Sequence, residues 1–269
     1  MSDNAGAGGG LDCVIAIPCF QESTRLPSFL RQLCEELRGS SSRVRIQVVD
    51  DGSGDLEARA LSEVVAVLDD EHPGLLLPPL LLPGNRGKGG AVYAGWQAAL
   101  SHQPRALALV DADGSVPATE VRRIVETFLA PDASARHAIF GSRVKILGRN
   151  VTRHLHRHLL GRIFATGVTM TTGVEIYDSQ CGLKILRTED FQRISGRLRE
   201  TGFVFDVELA LALLQSGCKV WELPIDWHEV PGSKVHLLRD SVRMFRGLLR
   251  IRAHHGRYRS PAAGLNERV

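Results

Sequence analysis

Short apolar runs alternate along the chain with stretches in which apolar residues recur every three to four positions. CVIAIP (13–18) reads as a strand, LPSFLRQLCEELR (26–38) as a helix, RIQVVD (45–50) as a strand and LEARALSEVVAVLDD (56–70) as a helix. GGAVYAGWQAAL (89–100) is helical, ALALVD (106–111) a strand, ATEVRRIVETFL (118–129) a helix and AIFGSR (138–143) a strand. GLLLPPLLLPG (74–84) breaks the alternation, because its prolines forbid a helix interior, and it reads as an irregular edge strand flanked by loop. Strands and helices taking turns predict an α/β fold, a Rossmann-like, mostly parallel sheet with helices on both faces in a single domain.

In such sheets ligands bind beyond the carboxyl ends of the strands. The polar residues after the apolar runs are therefore the ones that matter: Pro18 to Glu22, Asp50 to Ser53, Asp111 to Ser115 and Gly141 to Arg143. The run ALALVDADGS ends on Asp111 and Asp113, two carboxylates that repel each other unless a divalent cation sits beside them. The plain alternative is that one acid caps the helix near Ala118 and the other is solvated. Asp50 and Asp51 form a second pair and Glu22 follows the first strand, so three acidic strand ends point to one cleft. GNRGKGGAVYAG (84–95) adds glycines, Arg86 and Lys88 in a turn that opens a helix, suited to a phosphate, although no Ser or Thr follows the Lys as in a P-loop. Acids and turn together suggest a diphosphate bridged by a metal.

The 269 residues and 43% hydrophobic content suffice for a substantial core. A net charge of +3 is too small to make the whole surface a polyanion trap. That charge, the few aromatics and the strand-end acids argue against a nucleic-acid-binding module. The five cysteines, an odd number with no C-x-x-C pair, disfavour both a disulfide framework and a zinc knuckle, which fits a reducing, cytoplasmic setting. MSDNAGAGGGLD lacks the layout of a signal peptide, and no apolar run approaches the ~20 residues that cross a bilayer. The expected organisation is a leader over 1–11, one domain over 12–234, a basic amphipathic helix over 235–255 and a tail over 256–269.

Basic character is local. From His137 to Val174 there is no acidic residue, while Arg143, Lys145, Arg149, Arg153, Arg157 and Arg162 fall inside. Such a block is either a solvated face or a counter-charge for a bound anion. Arg143, Arg153 and Lys234 are the candidates for holding a phosphate. In HLHRH (154–158), His154 and His158 share a helix face while His156 points away, so three metal ligands do not converge. In the last helix, Leu238, Val242, Phe245 and Leu249 repeat at helical spacing beside Arg239, Arg243, Arg246 and Arg250. That stripe suits either a membrane surface or the packing of the helix on the domain. Asp206 and Glu208 in FVFDVEL sit near a helix start and either point into the site or favour the helix dipole.

The motifs IPCFQE, VVDDGSGD, GNRGKGGA, DADGS, GSR, DSQCGLK, FVFDVEL and PIDWHEVPGSK occur in the order found in family 2 glycosyltransferases of the GT-A fold, which the chain resembles from about Cys13 to Arg252. Its second half is most similar to the polyprenyl-phosphate members, of dolichyl-phosphate glucosyltransferase type. The resemblance implies UDP-glucose as donor, a polyprenyl phosphate as acceptor and Mg2+ or Mn2+ as the ion, with GDP-mannose or a non-lipid acceptor as the alternative. Pro18, Glu22 and Asp51 would hold the nucleoside with Asp50 in support. Lys88, beside Gly87, would approach the diphosphate. Asp111 and Asp113, with Ala112 between them and Ser115 beside them, would take the metal and ribose side. Asp178 falls at the position of a base. A phosphate monoester, mostly ionised at neutral pH, needs no strong base, so Asp178 is expected to orient the acceptor or a cation, or else to cap a turn. Eukaryotic members of that type carry an N-terminal anchor where this chain has a polar leader. The acceptor is therefore expected to be reached from the surface of a cytoplasmic membrane face, or not to be a long-chain lipid.

Overall fold

The computed structural model describes residues 10–131, 138–152, 155–230 and 237–259, apart from the side chains of 155–160 and 237–242. A seven-stranded sheet runs through the molecule in the order β3-β2-β1-β4-β7-β5-β8. Its strands are β1 (Cys13–Cys19), β2 (Val44–Asp50), β3 (Leu80–Leu81), β4 (Ala106–Val110), β5 (Ala138–Ser142), β7 (Leu183–Arg187) and β8 (Val220–Pro224). β6 (Val151–Thr152) pairs with β9 (Trp227–His228) in a separate two-stranded ribbon. The fold is a single α/β domain, as the alternation predicts.

Alternate residues of each strand feed two cores, one on each face of the sheet. Ile15, Ile17, Ile46, Val48, Ala108 and Val110 pack under α1 (Leu26–Arg38), α2 (Asp55–Glu71) and α4 (Ala118–Leu129). Val14, Ala16, Val49, Leu107, Leu109 and Phe140 lie on the other face, with α3 (Lys88–Ala99), α6 (Thr188–Ser195) and α7 (Phe205–Gln215). α1 starts with Pro27 in its first turn and buries Leu26, Phe29, Leu30, Leu33, Cys34 and Leu37, the period of an amphipathic helix. α3 comes unusually close to the sheet. A Cβ on Gly95 would sit 2.7 Å from Val49 Cγ2, and Trp96 Nε1 donates to the Ala108 carbonyl at 2.8 Å.

The segment 74–84 contributes only Leu80–Leu81 at the sheet edge, plus an isolated bridge between Leu76 and Ile46, so its reading as an irregular edge strand matches. Two features add to the sequence expectation of a mostly parallel sheet and of a last helix whose stripe suits either a membrane surface or packing. β7 runs antiparallel to both β4 and β5, whereas the β1–β2, β1–β4, β2–β3 and β5–β8 pairs are parallel. The last helix, α8 (Leu237–His255), packs on α5 (Leu155–Thr172) and α7 through a stripe next to the one expected. Leu248 and Ile251 are buried, whereas Phe245 and Leu249 are 58% and 50% exposed. Apolar pairs such as Met244-Phe245 and Leu248-Leu249 give α8 two neighbouring stripes, and periodicity alone does not choose between them. The side chains of Leu238, Val242 and Arg239 lie outside the described residues.

Candidate active site

Parallel pairing lines up the acidic strand ends. Cys19 pairs with Asp50, and Ala16 with Leu109, so two residues further on Pro18 stands level with Asp111. The reversed β7 brings its own beginning to this edge: Leu183 pairs with Val110, and the Asp111 N–H donates to the Gly182 carbonyl at 2.9 Å. The DSQCG segment before β7 therefore arrives beside DADG. β5 runs with β4, so Ser142 and Arg143 end at the same edge.

Asp51 organises the glycine turn. Its Oδ1 accepts the Arg86 N–H at 2.7 Å and its Oδ2 the Gly87 N–H at 2.8 Å. Burial pushes the carboxyl up from its usual range, and these two N–H groups oppose the shift. Gly52, at φ +69°, meets the Gly84 backbone so closely that a Cβ there would lie 2.4 Å from a carbonyl carbon. The Gly90 N–H goes to the Thr201 carbonyl at 3.1 Å. Three amides of the turn are thus engaged within the protein, and the turn's charged elements are the side chains of Arg86 and Lys88. Asp50 Oδ2 accepts the Ser53 N–H at 3.0 Å, while its buried Oδ1 has no partner among the described residues. Glu22 forks Arg25, with Nε to Oε2 at 2.7 Å and Nη2 to Oε1 at 2.5 Å.

Lys88 Nζ lies 2.6 Å from Asp111 Oδ1, an ionic contact between the glycine turn and the end of β4. Burial alone would lower the Lys88 pKa; the charges of Asp111 and Asp206 more than offset it, so the ammonium stays protonated. Asp113 Oδ1 accepts the Ser115 N–H at 3.0 Å across Gly114 (φ +71°), and the charge of Arg25 acts on Asp113. Among the described residues no group of three or more His, Cys, Asp or Glu side chains could hold an ion by itself. Two carboxylates at one strand end nonetheless fit a Mg2+- or Mn2+-type ion, a kind of ion that commonly draws its remaining ligands from bound phosphates and water. The donor set itself, the carboxylates of Asp111 and Asp113 one residue apart at a strand end with a single lysine on Asp111, is the observation that favours this fit.

Gly182 makes room for that carboxylate: a Cβ there would stand 2.1 Å from Asp111 Oδ2. Gly182→Ala should displace Asp111 and destabilise the fold by about 1–3 kcal/mol, the usual cost of overpacking. A thermal melt and a metal-binding titration on the variant check this, and an unchanged metal affinity would contradict it.

On the other flank, Arg143 and Asp178 form a two-pronged pair, Nε to Oδ2 at 2.7 Å and Nη2 to Oδ1 at 2.7 Å, with the Arg143 N–H on Oδ2 at 3.0 Å. Burial would lower the guanidinium pKa, but Asp178 drives it further up. Glu222 of β8 receives the N–H groups of Tyr177 and Asp178 at 2.7 and 2.8 Å, which fixes Asp178 in turn. The Arg143 guanidinium also lies 5.5 Å from the centroid of a Trp227 ring. Of the other basic residues in the acid-free block, Arg149 Nη1 pairs with Glu120 at 2.9 Å and Arg162 lies over Tyr177 at 4.1 Å. Lys145 and Arg149 line an open cavity of about 520 Å³ together with Ile146 and Leu147. Arg153, His154 and Lys234 lie outside the described residues, as do the side chains of His156, Arg157 and His158.

Sequence reasoning gave no role to Arg25, Lys184, Glu222 or Thr201. Lys184 closes DSQCGLK, and a charged residue inside an otherwise apolar strand was the signal available for it.

The molecule is thus an α/β protein with paired acids, a cation and a glycine turn on one sheet edge, the layout of a nucleotide-sugar enzyme of GT-A type. The sequence model of Glycosyl transferase family 2 matches residues 14–195, and the chain belongs to that family as a glycosyltransferase. It is 28% identical over 245 residues to a dolichyl-phosphate beta-glucosyltransferase of Dictyostelium discoideum, covering 88% of this chain and 73% of the relative. The enzyme of the same name from Saccharomyces cerevisiae is 29% identical over 251 residues, with the same coverages. Among solved structures, glucosyl-3-phosphoglycerate synthase from Mycobacterium tuberculosis, in complex with Mn2+, UDP and glucosyl-3-phosphoglycerate, superposes with a TM-score of 0.62 at 12% identity over 93% of this chain and 82% of its own. A mannosyltransferase from Pyrobaculum calidifontis with GDP-Man and Mn2+ gives 0.55 at 17% identity, over 91% and 70%. These structures bear on the fold.

Proposed function

We propose that this glycosyltransferase moves glucose from UDP-glucose to a polyprenyl phosphate, with inversion at the sugar carbon. The observation that carries the reading is the grouping of Asp111, Asp113 and Lys88 at one strand end, with the Arg143–Asp178 pair on its flank. The similarity to two dolichyl-phosphate beta-glucosyltransferases supports the choice of a glucosyl group and a polyprenyl phosphate acceptor.

Asp111 and Asp113, with Ser115 beside them, would hold one Mg2+ or Mn2+, which supplies charge neutralisation for the departing nucleoside diphosphate. Lys88 adds a fixed cation to the same diphosphate. Pro18, Glu22, Asp50 and Asp51 border the nucleoside side, Glu22 and Asp51 acting through Arg25 and the glycine turn that they hold. Arg143, whose charge Asp178 already balances, would meet the acceptor phosphate as a hydrogen-bond donor through the part of its guanidinium that the pair leaves over. An acceptor phosphate oxygen attacks C1, a new C1–O bond forms, and the bond from C1 to UDP breaks with its electron pair left on UDP. The attacking oxygen is already ionised at neutral pH, because the second pKa of a phosphate monoester is about 6. Asp178 then need not take a proton, and both its oxygens serve Arg143. Release of UDP or GDP from UDP-glucose and GDP-mannose, with short-chain polyprenyl phosphate, a non-lipid phosphate monoester or no acceptor, tests the substrates. Glucosyl lipid formed from UDP-glucose is the expected product, and release that lipid does not stimulate would remove the lipid acceptor.

No helix among the described residues is long and apolar enough to cross a membrane. Phe245 and Leu249 emerge from α8 beside Arg246, a surface suited to lie against anionic headgroups at the cytoplasmic face. Replacing both by Ser should weaken sedimentation with vesicles containing anionic lipid by about tenfold or more, since two apolar side chains lose their burial. The melting temperature should hardly move, because both residues are exposed. Undiminished vesicle binding would place the contact elsewhere.

A further inference from the structure

The segment from Arg199 to Val204, which leads into α7, touches both the glycine turn and α8. On the turn side, the Thr201 carbonyl accepts the Gly90 N–H at 3.1 Å, and a Cβ on Gly87 would stand 2.6 Å from the same oxygen. On the α8 side, Glu200 forks Arg250, with Nε to Oε1 at 2.7 Å and Nη2 to Oε2 at 2.8 Å. A Cβ on Gly247 of α8 would lie 2.4 Å from Val204 Cγ2. Contact this close on both sides leaves the segment little room to shift without moving the turn or the helix.

Two further ties hold it. Glu208, in the first turn of α7, accepts the N–H groups of Arg199 and Glu200 through Oε2 at 2.8 and 2.7 Å. Its Oε1 lies 2.8 Å from Nε2 of His255 at the end of α8, and both side chains are buried. The Phe203 carbonyl accepts Gln180 Nε2, from the DSQCG segment, at 3.2 Å.

Lys88 stands between the two turn residues that meet Thr201, on a glycine-rich stretch with little stiffness of its own. Asp51 fixes the entry of the turn through the N–H groups of Arg86 and Gly87, and Thr201 fixes its exit at Gly90. The place of Lys88 beside Asp111 therefore depends on where Thr201 is held, and α8 helps to hold it. We propose that Arg250 and Glu200 are positioning residues of the donor site: their pair clamps the Thr201 segment against the glycine turn and so sets Lys88 toward the donor diphosphate. This rests on the donor site described under the proposed function.

Calorimetric titration of UDP in the presence of Mn2+ into the full chain and its variants tests it. Arg250→Ala is expected to weaken UDP binding about five- to tenfold, the lower range of coupling between separate sites. Arg250→Lys, which restores one prong, should regain part of the loss. The melting temperature should hardly move, because the Arg250 side chain is 62% exposed. Arg252→Ala removes instead the bond from α8 to the Thr171 carbonyl of α5 at 2.8 Å, and should leave UDP binding as it is. Added to Lys88→Ala, Arg250→Ala should weaken binding little further, since Arg250 acts through Lys88. That comparison keeps its meaning even if Arg250→Ala melts lower, because a general loss of stability would add to the loss at Lys88 rather than vanish with it. Wild-type UDP affinity in Arg250→Ala, an equal loss in Arg252→Ala, or additive losses with Lys88→Ala would each overturn the proposal while the donor reading stands. If the wild type itself takes up no UDP, the donor reading fails and the positioning role falls with it.

Discussion

Asp113→Asn is expected to lower turnover by about a thousandfold while the protein stays folded, the scale on which a lost electrostatic contact to a developing charge is felt. Asp113 accepts the Ser115 N–H through Oδ1, and an asparagine amide oxygen accepts the same bond. The turn over Gly114 therefore survives, and what disappears is one negative charge next to Asp111. An amide oxygen is a poor substitute where a dication must be held against Lys88 and Arg25, both of which already act on the two acids. Parallel measurement of kcat and of the thermal midpoint separates the two effects. Near-normal turnover would show that the DAD acids do not hold the ion.

The second large effect belongs to Asp178→Asn. The amide can accept from one prong of Arg143 but presents its own NH2 to the other, and the buried guanidinium loses its counter-charge. Removing one partner of such a pair costs about 3 kcal/mol, or about 6–12 °C in melting temperature for a domain of this size. Turnover should fall because Arg143 is no longer held toward the acceptor. The acidic limb of the pH profile should remain. Below about pH 6 the acceptor monoester itself gains a proton and becomes a weaker nucleophile, whatever residue stands at 178. If that limb vanished with the carboxylate, Asp178 would be the general base.

The parallel half of the fold was legible because its signals are local. The bounds of α1 and α4 follow from one apolar stripe each, β1 and β4 from apolar runs that lead into polar residues, and β2 from a β-branched run broken only by Arg45 and Gln47. Parallel strands then carry those ends to one edge, so Glu22, Asp50, Asp51, Asp111 and Asp113 could be grouped from spacing alone. β7 was not legible: it has a lysine at its centre, and its direction depends on which edge of the sheet the chain re-enters, a tertiary fact. α7 is buried on nearly every side, so its sequence has no polar face to mark its orientation. The commitments of the charged groups were equally hidden. Asp178 meets Arg143, and Glu120 meets Arg149, across separations of 35 and 29 residues. Composition shows a basic block; only the packed chain shows that two of its arginines are already matched to carboxylates.

Titration of UDP into the full chain, in a calorimeter and with Mg2+, Mn2+ or chelator present, addresses the central assignment most directly. Saturable binding that strengthens with either cation and collapses with chelator is the expected result. Failure of either ion to promote uptake of UDP or of GDP would contradict the site built on Asp111, Asp113 and Lys88.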